Sequence, residues 1–393
     1  MSDSQTFCIY NAKVVTPETT LENGYVRVEN GKIAFAGLPS ELPPEKRNEW
    51  DAGAIDAKGG WVIPGFIDVH VHGGYGADFM YSNKEVLDTI TKFHRDNGTT
   101  AMVATTMTAS REALDRVLGE VQRYMSEPMP YAQLEGVHLE GPFINVKYKG
   151  AQNPAYMIDP QLDWLQDWVA KYPGVIKQVS LAPERSGALE AIEWLRGQGI
   201  NVAAAHTDAS YEQIEEAVKA GLNQAVHTFN AMTPIHHRNP GTAGAVLSLD
   251  GIVAELIADC IHVHPAVMKI VAKAKTDNNL VLITDAMSAA GLGDGDYELG
   301  GLDVVVKDGQ ARLKEGDSLA GSTLTMINAF RNFIRHVGVT LQEAVLLTSY
   351  NAAKALGIDD RTGSIAVGKQ ADLLLLDEDL NLLTVWVKGQ SNR

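Results

Sequence analysis

Cysteine is nearly absent: only Cys8 and Cys260 occur. Two thiols supply neither a disulfide framework nor a cysteine-type zinc site, which fits a reducing compartment, and each reads simplest as a small buried hydrophobe. Basic charge is also short, because 33 Lys and Arg face 49 Asp and Glu for a net charge of −16. Such a field repels nucleic acid and anionic membranes, so neither is an expected partner, and any anionic substrate needs a local cluster of basic groups. No uninterrupted apolar run reaches the roughly 20 residues that span a bilayer, and MSDSQTFCIYNAK lacks the basic start and apolar stretch of an export signal. A soluble, cytoplasmic protein is expected. Low-complexity tracts, charge blocks and repeats of 20–50 residues are missing as well, which excludes long disorder and solenoids.

What remains is globular. With 393 residues, 45% of them hydrophobic and 21% charged, the chain predicts two or three domains, or one large barrel with an attachment. The first segment alternates apolar and polar residues in FCIYNAKVVTP and GYVRVENGKIAFAG, with a hairpin corner at Glu29-Asn30-Gly31. The last segment, GSIAVGKQADLLLLD then LLTVWVKG, has the same character. Between them, eight short apolar runs alternate with amphipathic stretches such as SREALDRVLGEVQRYM and YEQIEEAVKAGLNQ. Eight such units close a (β/α)8 barrel, a TIM-type α/β fold; a three-layer α/β fold is the alternative. The expected division is a small β-sandwich built from residues 1–58 and 359–393 around a barrel at 59–358.

Polar residues recur where the runs end: His70 and His72, Thr106, Glu140, Glu184, His206, His227, Asp259 with His262, and Asp285. In a barrel these ends converge on one face, where active sites are built. In PGFIDVHVHG, alternation puts Asp68, His70 and His72 on one side of a strand, though H-x-H alone reads equally well as polar residues at a loop mouth. Five imidazole and carboxylate ligands at matching ends favour metal. Glu140, with two oxygens, could join a cation held by His70 and His72 to one held by His206 and His227. Asp285 is the candidate for moving a proton from an activated water to a leaving group. GLGDGD at 291–296 follows no strand directly and opens no helix, so it reads as a lid or connection rather than a phosphate loop.

At these residues the chain resembles a known family. HVH, HLEGPF, AAHTDAS, HTFNAMTP and ITDAM are similar to the amidohydrolase superfamily, and HLEGPFINVKYKGAQNP, HRNPG, IADCIHVHP and LAGSTLTM narrow the resemblance to its N-acetylglucosamine-6-phosphate deacetylases. The resemblance covers essentially the whole chain. It implies hydrolysis of the acetamido group of a phosphorylated amino sugar, with Glu140, His206 and His227 as principal metal ligands and Asp285 as acid/base. Some members lack the first-strand histidines and run on one metal; the presence of His70 and His72 implies capacity for two divalent cations, with zinc, iron and manganese all suited to the ligands.

The resemblance also implies substrate contacts. Arg238 and His262 match positions that bind the phosphate, the backbone around Asn230 and Ala231 matches others, and Gln152 stands where relatives carry a histidine near the developing oxyanion. Ser322 reads either as a helix N-cap or as a sugar contact. A basic residue reaching in from a neighbouring subunit implies a homodimer. A dihydroorotase-like or amino-acid deacylase reading would favour a lysine at the end of the fourth strand, where SLAPE offers Glu184, and a non-catalytic barrel would have lost some of these ligands.

Overall fold

The structure, a computed structural model, describes residues 6–42, 46, 50, 53–275 and 279–391. Its centre is one eight-stranded sheet in chain order: Phe66–Val71, Thr99–Thr105, Gln133–Glu140, Ile176–Leu181, Asn201–Ala204, Gln224–Ala225, Val253–Ile257 and Leu280–Ile283. All seven ladders between neighbours are parallel. Each of the eight apolar runs supplies one strand of this sheet. The sheet closes where the Asp285 N–H donates to the His70 carbonyl at 2.9 Å and the His72 N–H donates to the Ala286 carbonyl at 2.8 Å. Lower in the barrel, Asp68 accepts the Thr284 hydroxyl at 2.6 Å, which ties first strand to eighth. Burial pushes the Asp68 carboxyl up to about 7 despite that hydrogen bond.

The first three strands are buried at every residue, because helices cover the outside and side chains fill the inside. The amphipathic stretches form those helices. Arg111–Met125, capped by Ser110, buries Leu114, Val117, Leu118 and Val121, and Tyr211–Ala220, capped by Ser210, buries Ile214 and Ala217.

The strand-rich domain is a seven-stranded sheet taken from both ends of the chain. Asn30 and Gly31, at φ of 52° and 73°, make the expected hairpin corner between Thr20–Glu29 and Lys32–Gly37. Strand Leu373–Leu376 shows why its sequence does not alternate. Leu373 and Leu375 pack with Val14, Val28 and Trp386, whereas Leu374 and Leu376 pack with Ile63 of the neighbouring strand and with Phe66 and Phe330 from the barrel side. Both faces of the sheet are therefore apolar.

One apolar run serves both units. Trp61–Pro64 pairs with Leu373–Leu376 in the terminal sheet, and Phe66–Val71 opens the barrel. Gly65 joins them where any Cβ would collide with Thr100. We therefore propose that the barrel begins at Phe66 rather than at residue 59.

Candidate active site

The barrel brings four imidazoles around one carboxylate. His206 Nε2 and His227 Nε2 lie 3.2 and 3.1 Å from Glu140 Oε1, while His72 Nε2 and His70 Nε2 lie 3.2 and 3.6 Å from Oε2. Asp285 Oδ1 is 3.2 Å from His72 Nε2 and 3.6 Å from His70 Nε2. Glu140 thus belongs to two groups at once, one with His70 and His72 and the other with His206 and His227.

The backbone aims some of these groups at a cost. His206, His227 and Asp285 sit just past their strands with φ of 42°, 26° and 51°, in the left-handed region that non-glycine residues avoid at about 1–3 kcal/mol each. Each turn carries the side chain inward from the strand end.

The opposite ring nitrogens are all spoken for. His206 Nδ1 faces the Tyr148 carbonyl at 2.8 Å, His227 Nδ1 the Asn230 carbonyl at 3.1 Å, His72 Nδ1 the Thr105 carbonyl at 3.2 Å, and His70 Nδ1 the Glu255 carboxylate at 2.8 Å. An imidazole nitrogen facing an acceptor carries the hydrogen, so in neutral rings the four Nε2 lone pairs are left facing Glu140. Lone pairs facing carboxylate oxygens repel unless a cation or a proton lies between them. His70 Nε2 is in addition buried with no hydrogen-bond partner. This donor set, mixed imidazole and carboxylate with fixed tautomers, fits one or two divalent metal ions.

The electrostatics agree. Burial opposes charge on His72, yet the hydrogen bonds to Asp285 and Glu140 push it up to about 9. Burial likewise works against ionising Asp285, but the His72 hydrogen bond and the His70 charge hold it down at about 2. Glu140, surrounded by imidazoles, is held well below the carboxylate range in the same way. The pocket is built for more positive charge than its own side chains carry when neutral.

Behind His70 lies a polar layer the sequence analysis missed. Glu255, fully buried on the seventh strand, faces His70 and accepts from Gln178 Nε2 at 2.8 Å, and His138 Nε2 lies 2.6 Å from Ser180 Oγ. A carboxylate inside the apolar strand VAELI was the available signal.

Above the metal groups opens a cavity of about 450 Å³, lined by His72, Glu140, Gln152, His206, His227, Asn230, Ala231, His262 and Asp285 among others. Gln152 donates to Glu140 Oε2 at 2.8 Å and accepts the Thr108 N–H at 2.7 Å, so its amide braces the shared carboxylate. His262 is held through Nδ1 by Asp259 at 2.6 Å. Thr106 accepts the Glu140 N–H at 3.2 Å and so braces the end of the third strand, Glu184 accepts the Thr207 hydroxyl at 2.5 Å in the loop after the fifth, and neither lines the cavity.

Two predicted contacts sit elsewhere. Ser322 donates to the Thr284 carbonyl at 2.6 Å and accepts the Leu324 N–H at 3.0 Å, whereas the N-cap position of the next helix is held by Thr325, whose side chain makes no cap hydrogen bond. Arg238 does not line the cavity: it is exposed on the loop after the sixth strand, with its guanidinium 2.7 Å from His237. Conversely Arg312, unremarked in the sequence, does line it. GLGDGD leads into the antiparallel sheet Gly295–Leu299, Leu302–Lys307 and Gln310–Leu313, which carries Arg312 and Leu299 to the cavity wall.

An eight-stranded barrel with two carboxylate-linked histidine groups at the C-terminal ends of its strands defines a class of hydrolase that works through divalent cations. The chain belongs to the amidohydrolase family, whose model matches residues 61–391. It is 38% identical over 389 residues to the N-acetylglucosamine-6-phosphate deacetylase of Bacillus subtilis, covering 98% of this chain and 97% of that one. It is also 36% identical over 378 residues to an N-acetylgalactosamine-6-phosphate deacetylase of Escherichia coli O157:H7, covering 96% and 97%. Among solved structures, a mutant N-acetyl-D-glucosamine-6-phosphate deacetylase of Mycobacterium smegmatis in complex with N-acetyl-D-glucosamine-6-phosphate superposes with a TM-score of 0.92 at 34% identity, covering 98% and 99%.

Proposed function

We propose that this protein hydrolyses the acetamido group of N-acetyl-D-glucosamine 6-phosphate to D-glucosamine 6-phosphate and acetate. The observation that carries the reading is Glu140, shared by two histidine pairs on the cavity floor with Asp285 beside His72. A divalent metal bound there, be it zinc, iron or manganese, polarises an amide carbonyl and acidifies a water molecule at neutral pH.

The chain's own residues do the rest. His70, His72, Glu140, His206 and His227 hold the metal. Asp285 takes the proton of the attacking water and returns it to the amine as the C–N bond breaks, which converts a poor leaving group into a neutral one. Gln152 keeps Glu140 oriented and directs an N–H towards the floor, where negative charge develops on the carbonyl oxygen. His262, oriented by Asp259, and the backbone of Asn230 and Ala231 form the substrate wall, while Ser322 supports it from behind.

Arg238 belongs to this reading through a homodimer, because it lies outside the cavity of its own chain and is free of carboxylate partners in the described structure. Arg238→Ala is expected to raise KM for the phosphorylated sugar about tenfold or more and to leave the unphosphorylated sugar nearly unaffected. Equal changes for both substrates, or a monomer by light scattering, would remove Arg238 from the site. No described helix is long and apolar enough to cross a membrane. A cytoplasmic location follows from the substrate, since a sugar phosphate made inside a cell does not pass the bilayer unaided.

The deciding experiment is acetate release from N-acetylglucosamine 6-phosphate by purified protein, with metal content measured on the same sample. Chelator-sensitive release, restored by added divalent metal, is the expected result. A metal-loaded sample that releases no acetate would retain the barrel and its ligands but reject this substrate, and the galactosamine epimer would be assayed beside it because of the Escherichia coli relative.

A further inference from the structure

The proposed substrate is a dianion near neutral pH, yet the chain carries a net charge of −16, so the phosphate needs positive charge close at hand. Among the described residues that line the cavity, Arg312 is the one lysine or arginine. It stands on Gln310–Leu313, the outer strand of the antiparallel sheet that rises beside the barrel mouth.

Its present partners hold it in place without neutralising it firmly. Nη1 donates to the Asp317 carbonyl at 2.7 Å and to Asp317 Oδ1 at 3.0 Å, and Nη2 donates to Gln310 Oε1 at 3.1 Å. The Asp317 side chain is 93% exposed, and that of Arg312 is 36% exposed. An ion pair so open to water is weak and exchangeable.

Position within the cavity selects the group that Arg312 can meet. Glu140 and His72 are buried on the floor at 1% and 3% exposure, whereas Arg312 reaches the solvent at the rim. In a pyranose, the carbon bearing the acetamide and the carbon bearing the phosphorylated arm are opposite ring atoms. With the acetamide at the metal ligands, the phosphate points towards the rim. A planar guanidinium matches two phosphate oxygens at once, which neither an imidazole nor a backbone N–H does.

Building on the proposed deacetylase reading, we infer that Arg312 is a specificity-determining residue whose guanidinium exchanges Asp317 for the 6-phosphate of the substrate. Asp317 is then a placeholder that keeps Arg312 extended in the free enzyme.

Steady-state kinetics on wild type, Arg312→Ala, Arg312→Lys and Asp317→Asn, each with N-acetylglucosamine 6-phosphate and with unphosphorylated N-acetylglucosamine, test this. Arg312→Ala is expected to raise KM for the phosphorylated substrate about 10- to 100-fold with little change in kcat, and to leave kcat/KM for the free sugar within about twofold. Arg312→Lys falls between, having charge without the fork, and Asp317→Asn leaves KM unchanged or lower because it releases the guanidinium. A structural salt bridge predicts the opposite: Asp317→Asn would mimic Arg312→Ala, and both substrates would suffer alike. Either result overturns the assignment. Calorimetric titration of wild type and Arg312→Ala with glucosamine 6-phosphate and with glucosamine reads the same preference without turnover. An Arg312-dependent preference for the phosphorylated ligand supports the inference even if acetate release fails, and no preference in wild type overturns it.

Discussion

Asp285→Asn is expected to keep its metal and its substrate while kcat falls by about 10²–10⁴-fold, the usual contribution of a positioned proton-transfer group. The amide is nearly isosteric with the carboxylate, so it fills the same space beside His72 and His70. It cannot, however, accept the proton of an attacking water. Against burial, the His72 hydrogen bond and the His70 charge hold the Asp285 carboxyl down at about 2, so it stands as the carboxylate that can take a proton. The measurement is a pair: metal content by elemental analysis, and single-turnover acetate release at saturating substrate. Near-normal turnover with metal retained would assign the acid/base role elsewhere. Loss of metal together with activity would make Asp285 chiefly a ligand.

Glu140→Gln should be the most damaging substitution in the metal site. Glu140 is the one side chain common to both ligand groups, so its loss touches every bound ion, whereas His70→Ala with His72→Ala touches only one group. Removing an outer partner of a ligand already costs about 10–100-fold in metal affinity, and removing a shared ligand has to exceed that. The expected pattern is metal content near zero for Glu140→Gln, and one ion fewer than wild type for the histidine pair. Circular dichroism of each variant controls for folding. If Glu140→Gln retains as much metal as the double histidine variant, the two groups do not share it and the bridging geometry is wrong.

The architecture was legible because hydrophobic periodicity and strand-end chemistry are local. Each apolar run and its amphipathic neighbour report their own burial, and once eight of them close a barrel, the polar residues at their ends have only one place to meet. His70, His72, Glu140, His206, His227 and Asp285 were read in this way, and the folded chain gathers them around one carboxylate.

Tertiary structure decided the rest. The run at 61–73 looks continuous, yet Gly65 divides it between two sheets, because which neighbour a strand finds is not written in its own periodicity. Leu374 and Leu375 are alike in sequence and face different cores. Glu255 became the partner of His70 only when the seventh strand was set within reach of the first. Arg238 and Arg312 show the same limit for function: the first lies within the quoted HRNPG and outside the cavity, and the second belongs to no quoted motif and lines it. A sequence specifies which chemistry each residue carries; long-range strand pairing and the path of an inserted sheet determine which of those residues share a cavity.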